Sequence, residues 1–362
     1  MKVAIVYDRI NKWGGAERVL LELHKIFPDA PLYTSLYAPE KAKWAEVFEV
    51  RPSFLQKLKF LRDKHELLGV FMPIAFESFD FSKFDLVISV TSESAKGVIT
   101  NKDTKHICIC LTPTRYLWSD YDIYFKSNLF KIITFPVVFY LKKWERIAIK
   151  RPDGVIAISE NIKEKIKQYY DVDSHVIYPP SSSILNTRKI VLPNEKNYFL
   201  VVSRLVPHKR IDLAVKAVNR SKTNLIIIGK GVEEGNLKSI AGKNVKFIKS
   251  VSDSELRGYL KNAKALIYPS EEDFGIGMVE AQLHGAPVVA YRKGAAKEII
   301  KEGKTGEFFK EQTVRSLSRV LKTIKKDKYN ERDCYNNGLR FSNQKFRKNL
   351  STYIENAIIN NY

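Results

Sequence analysis

The stretch Glu272-Asp273-Phe274-Gly275-Ile276-Gly277-Met278-Val279-Glu280-Ala281 decides how this chain is read. The apolar run Ala265–Tyr268 before it reads as a buried strand, with Pro269 just beyond. The run from about Ile276 to His284 reads as a helix, with Gly285-Ala286-Pro287 after it. Two carboxylates, Glu272 and Glu280, therefore stand eight residues apart around a glycine-containing turn. One belongs to the loop at a strand's C-terminal end and the other to the second turn of the next helix. Ligands of open parallel sheets bind at such strand ends. The free N–H groups and positive dipole end of a helix start suit a diphosphate or a polar sugar. A carboxylate one turn further in can accept two hydrogen bonds from a ribose diol.

A basic loop accompanies this unit. Ser203-Arg204-Leu205-Val206-Pro207-His208-Lys209-Arg210 follows an apolar strand, and a helix is expected from about Lys209. Arg204 and Lys209 lie five apart across the turn, so both can reach one diphosphate, Arg as a bidentate fork and Lys as a point charge. At the N-terminus Lys2–Tyr7 reads as a buried strand. A loop ending in Gly14-Gly15-Ala16-Glu17-Arg18 follows, then an apolar-periodic helix over Val19–Phe27. This is not the dinucleotide-binding glycine pattern.

The Glu–seven residues–Glu string with Phe-Gly after the first Glu resembles the donor-sugar signature of retaining glycosyltransferases of the GT-B fold, in the large family 4. The basic loop and the first-strand glycines fit the same family. Cys110-Leu111-Thr112-Pro113-Thr114-Arg115-Tyr116-Leu117-Trp118 resembles a segment of its bacterial O-antigen and exopolysaccharide mannosyltransferases. Leu111 stands where that segment has His. Leucine neither donates nor accepts, so no role of that His carries over. The resemblance covers nearly the whole chain. It implies that Arg204 and Lys209 hold the leaving phosphates, Glu272 binds sugar hydroxyls and Glu280 holds the ribose. Phe274, Gly275 and Ile276 complete the donor site. Gly14 and Gly15 approach the diphosphate from the other domain, and Thr112 and Arg115 lie on the acceptor side.

Length and pattern agree with that family. At 362 residues two domains are expected. Strands alternate with helices, which implies α/β domains with parallel sheets. The expected division is a Rossmann-like domain over 1–180, a linker over 181–196, a nucleotide-sugar domain over 197–342, and a last helix over 343–362 crossing back to the first domain. The resemblance adds the GT-B arrangement: two doubly wound domains facing a cleft, with that last helix crossing back. No apolar run reaches the roughly 18 residues of a membrane span, and no signal peptide is read. The three cysteines show no metal spacing, and Cys108 and Cys110 alternate within a strand. A reduced cytoplasmic protein is expected.

The charge is the other unusual feature: 61 basic against 40 acidic residues, a net of +21. Lys126–Arg151 holds seven basic residues and one acid, Glu145, interleaved with apolar ones. Arg51–Lys64 holds five basic residues beside Phe54, Leu55, Leu58, Phe60 and Leu61. Basic amphipathic stretches suit an anionic membrane surface. No nucleic-acid-binding module is present. The expected protein is peripheral at the inner face of a membrane and acts on a lipid-linked glycan.

The expected chemistry is retaining hexosyl transfer, with mannose from GDP-mannose first and a UDP-sugar as the alternative donor. No cofactor or metal is expected. Asp120-Tyr121-Asp122 has a metal-like spacing, but Arg204 and Lys209 supply the positive charge. Nucleotide-sugar epimerisation, a phosphorylase-like activity and a catalytically silent assembly scaffold are the competing readings.

Overall fold

The computed structural model of the chain describes residues 1–57, 69–125, 127–181 and 190–359. Within these the chain forms two compact units. One comprises Met1–Pro180 with Gln344–Tyr362, the other Ser181–Asn343.

The first unit is built on a seven-stranded sheet of β1 (Val3–Tyr7), β2 (Leu32–Thr34), β3 (Val50–Pro52), β4 (Leu86–Thr91), β5 (Lys105–Cys110), β6 (Gly154–Ala157) and β7 (His175–Val176). Its spatial order is β3-β2-β1-β4-β5-β6-β7, and every pairing is parallel. The second unit has six parallel strands, β8 (Tyr198–Val202), β9 (Asn224–Ile228), β10 (Val245–Ile248), β11 (Leu266–Tyr268), β12 (Val288–Tyr291) and β13 (Gly306–Phe309), in the order β10-β9-β8-β11-β12-β13. Both sheets are doubly wound. The direction of winding reverses between β1 and β4 in one and between β8 and β11 in the other.

Sequence dictates this directly. Strands covered by helices on both faces must be apolar throughout, and all five residues of Val-Ala-Ile-Val-Tyr in β1 are buried. The helix Ile211–Ser221 buries Ile211, Leu213, Ala214, Val215, Ala217 and Val218, and these share a core with Phe199, Val201 and Ile227 of the sheet. Each buried Val, Leu or Ile side chain contributes about 1.5–3 kcal/mol on leaving water. The helix Glu160–Tyr170 starts at Ser159, whose hydroxyl accepts from the Ile162 N–H at 3.1 Å. Cys108 and Cys110 are both buried in β5.

Three local expectations are corrected. Sequence reading found no strand at Val50–Pro52, yet β3 forms the sheet edge there. The N-terminal helix runs Gly15–Ile26 rather than starting at Val19. Lys209 does not open a helix but ends a short 3-10 turn, Pro207–Lys209. Arg210 then adopts a left-handed backbone (φ 52°), and the helix begins at Ile211. Of the two basic stretches, Leu58, Phe60, Leu61 and Lys64 of the first lie outside the described residues, as does Lys126 of the second.

Candidate functional site

The crest of the second sheet, at its reversal point, brings the predicted donor residues together. Strand β8 delivers Ser203–Arg210 and β11 delivers Pro269–Gly275 to neighbouring positions at the same end of the sheet. Lys209 Nζ donates to both oxygens of Glu272, at 2.6 and 2.8 Å, and Ser270 Oγ donates to Glu272 Oε1 at 2.7 Å. Glu272 is 9% exposed. Arg204 is exposed beside this pair. The half-buried Tyr268 senses all of them. Burial first, then the carboxylates of Glu272 and Glu280, hold its hydroxyl well above the usual tyrosine range, while Arg204 opposes them. Glu280 is half-buried in the helix Ile276–Leu283, whose first turn follows Gly275 in a left-handed conformation (φ 92°). Phe274 points inward and packs edge-on against Phe341 at 5.6 Å, so only its backbone lines the crest.

Apart from Gly294, whose segment Gly294–Glu298 departs modestly from the double glycine usual in the resembled family, the sequence reading names none of the supporting residues. The Gly229-Lys230-Gly231 turn clasps the Arg204 loop. Leu205 N–H donates to the Lys230 carbonyl at 2.8 Å, and a side chain at Gly229 would lie 1.9 Å from the Ser203 carbonyl. Gly294 (φ 62°) lies so close behind Glu272 that an added Cβ would meet its carbonyl at 2.4 Å. The next N–H, that of Ala295, donates to that carbonyl at 3.1 Å. Arg210 reaches Gln312 Oε1 at 3.0 Å, and Gln312 Nε2 donates to the Pro269 carbonyl at 2.9 Å, which ties the two crest loops from behind. The recurring glycines were the available signal.

The first sheet's crest is also ordered at its reversal point. Asp8, just past β1, is buried. It accepts from the N–H groups of Ser92, Glu93, Ser94 and Ala95 at 2.6–3.0 Å and from Thr91 Oγ1 at 3.0 Å. Arg9 pairs with Glu93. Gly14 and Gly15 cap and start the Gly15–Ile26 helix at this same end. Gly14 is extended, a conformation open to any residue. Thr112 and Arg115 are half-buried in the loop after β5, where Arg115 lies 3.8 Å from Asp120.

That loop does more structural work than the sequence indicated. Glu145, the one acid of the basic stretch, is buried at the centre of a hydrogen-bonded hub. Lys96, itself 0% exposed, donates to it at 2.5 Å, Trp118 Nε1 at 2.7 Å and the Tyr170 hydroxyl at 2.9 Å, with Thr114 Oγ1 as a fourth donor. Thr114 and Trp118 thus satisfy a desolvated charge. Asp120 and Asp122 face Arg115 and Lys131, and no cluster of metal-ligating side chains occurs among the described residues.

Residues 183–341 match the family model described as glycosyl transferases group 1. The matched range lies within the second unit, Ser181–Asn343. Every residue of the second crest that the sequence reading assigned to the donor falls inside the matched range. The chain is 31% identical over 173 residues to the O-antigen chain mannosyltransferase RfbU of Salmonella typhimurium, covering 45% of this chain and 49% of that protein. It thus spans about half the length of that curated relative. Among solved structures, the lipopolysaccharide outer core galactosyltransferase WaaB superposes with a TM-score of 0.69 at 21% identity, over 100% of both chains. HepE of Anabaena, solved with UDP and glucose, superposes with a TM-score of 0.69 at 18% identity, over 98% of this chain and 100% of its own. The two Rossmann-like units are those of the GT-B fold.

Proposed function

We propose that the protein is a retaining, metal-independent hexosyltransferase that moves a sugar from a nucleotide-sugar donor to a lipid-linked or polysaccharide acceptor in cell-surface glycan assembly. The observation that carries the reading is the Lys209–Glu272–Ser270 cluster beside Arg204, at the reversal point of the domain's sheet. Mannose from GDP-mannose is the first donor, supported by the mannosyltransferase relative. The UDP and glucose held by HepE support a UDP-sugar as the second.

In this mechanism the bond from anomeric carbon to diphosphate breaks through an oxocarbenium-like state. Negative charge collects on the departing diphosphate. Arg204, Lys209 and the N–H groups that follow Gly275 meet that charge where it develops. Glu272 orients the sugar through its hydroxyls and Glu280 holds the ribose diol. The leaving phosphate assists attack of the acceptor hydroxyl on the same face. Lys209 is partly neutralised by Glu272 before donor arrives, so diphosphate binding draws Lys209 away from a carboxylate already aimed at the sugar position. Acceptor binding is assigned to Thr112 and Arg115 of the first unit, and the enzyme works at the inner face of an anionic membrane.

A thermal-shift panel of GDP, UDP, ADP and their hexose conjugates tests this, because a bound ligand raises apparent stability by mass action. One nucleotide diphosphate should stabilise the protein, and its sugar conjugate should donate to a lipid-diphosphate-linked acceptor. Absence of any nucleotide shift sinks the reading. Epimerisation of the free conjugate in place of transfer would reassign the reaction.

A further inference from the structure

The helix Asn128–Ala148 has two apolar faces, and one faces solvent. Val138, Leu141, Trp144 and Ala148 are buried toward the first unit. On the other side Leu129, Ile132, Ile133, Phe135 and Phe139 are 60% to 71% exposed, with Tyr140 and Ile147 alongside. These recur at three- and four-residue spacing, the period of one helical face. Isolated exposed apolar residues are ordinary, but a contiguous row of aromatic and branched side chains marks an interaction surface.

Charge decides the occupant. The only acid in this helix, Glu145, is buried in its hub, so the exposed side carries cations alone, Lys143 and Arg146, in a chain of net +21. Lys142 and Arg146, which follow the apolar row along the helix, lie over the Trp118 ring at 5.1 and 5.2 Å. An apolar strip bordered by cations complements the interface of an anionic bilayer, apolar toward the acyl chains and basic toward the headgroups. At 21 residues the helix measures about 31 Å. No helix among the described residues is long and apolar enough to cross a membrane.

We infer that the Leu129–Tyr140 face of this helix lies in the plane of an anionic membrane with its apolar row sunk into the headgroup–acyl boundary. This rests on the glycosyltransferase reading only for its purpose, since it brings a lipid-linked acceptor to the first unit. Its physical basis is independent. It also changes what holds the protein to the surface. The basic composition alone implies a salt-reversible contact, whereas an inserted row resists salt.

The test is flotation of the full chain with phosphatidylglycerol–phosphatidylcholine vesicles. The protein floats at low salt, and a substantial part still floats at about 1 M salt, where screening has shrunk to roughly 3 Å. The variant carrying Leu129→Gln, Ile132→Gln, Ile133→Gln and Phe139→Gln loses about tenfold or more of its partitioning at every salt concentration, because removing each large apolar side chain is worth severalfold. Its circular dichroism and nucleotide thermal shift match the parent, since the altered side chains are exposed and lie outside the donor site. Complete release of the parent by salt, or unchanged flotation of the variant, overturns the inference. So does a parent that sediments as a dimer without lipid while the variant is monomeric and both ignore vesicles. That result assigns the face to a second copy. A protein that floats as described yet binds no nucleotide diphosphate upholds the membrane face and defeats the donor reading.

Discussion

Lys209→Ala and Arg204→Ala remove one positive charge each from the same crest, yet their effects on stability should differ sharply. Lys209 Nζ lies 2.6 Å from Glu272 Oε1, with the two side chains 15% and 10% exposed. Removing one partner of a fully buried pair costs about 3–5 kcal/mol, because the other charge is stranded. Here some water reaches the pair and Ser270 still donates to Glu272, so the cost falls to about 2–3 kcal/mol. In a domain of this size each kcal/mol shifts melting by roughly 2–4 °C, so Lys209→Ala should lower the second unit's transition by about 4–12 °C. Arg204 is exposed, and its truncation should stay within about 0.5 kcal/mol. On turnover the two should converge, each losing about 10²–10³-fold when a preorganised contact to the departing diphosphate is gone. Calorimetry of each variant beside the rate of nucleotide release measures both effects. If Lys209→Ala melts with the parent, the ion pair is not holding the crest as described. Near-normal turnover in both variants removes the phosphate roles altogether.

The carboxylates should divide. Glu280→Ala weakens binding of the bare nucleotide, measured by titration calorimetry, while Glu272→Ala spares it and slows transfer; equal losses of bare-nucleotide affinity contradict the assignment. Gly294→Ala should behave as a site mutation, lowering both transfer and melting temperature, because its φ of 62° and the Glu272 carbonyl 2.4 Å from any added Cβ force the loop back. Acid should destabilise the first unit through His106, whose fully buried ring is pushed down to about 3 by burial from the ordinary 6.5, with Ser89 Oγ 2.8 Å from Nε2. The folded pKa of this base lies below its unfolded value. The stabilisation is therefore complete above pH 6.5 and is lost as pH falls toward 3. Between pH 6.5 and 5 that amounts to about 2 kcal/mol, and His106→Gln should flatten the melting-temperature slope there; an unchanged slope argues against it.

The sequence exposed the sheets well because doubly wound parallel strands are short apolar runs between glycines and polar turns. It hid β3 because Val50-Arg51-Pro52 is a half-exposed edge with no run to see. The helix start after Lys209 was misread because a left-handed residue usually announces itself as glycine, and here it is Arg210. Arg204, Lys209 and Glu272 were picked out by their spacing together with the family resemblance, and the fold brings their loops to one end of the second sheet. Their supports were not: Ser270 and Gln312 act through side-chain hydrogen bonds, and Gly229 and Gly294 through close backbone approach, all of which only the folded crest creates. The basic stretch was half-read. Both faces of the Asn128–Ala148 helix are apolar, so periodicity could not tell the inner from the outer. Glu145, noted in the sequence only as the one acid of the stretch, is an interior charge.

The Glu145 hub has a consequence for how related chains vary. A carboxylate and an ammonium shut away from water can neither be lost singly nor be screened, but both together can give way to an apolar pair at little cost. Positions 96 and 145 should therefore co-vary across homologues, charged in both or in neither. Where Glu145 is absent, the donors Thr114, Trp118 and Tyr170 lose their common acceptor and become free to drift. Part of what makes the Thr112–Trp118 string recognisable would then be inherited from an interior charge rather than from contact with any sugar. Alignments ranked by that string alone would sort chains by scaffold before they sort them by acceptor.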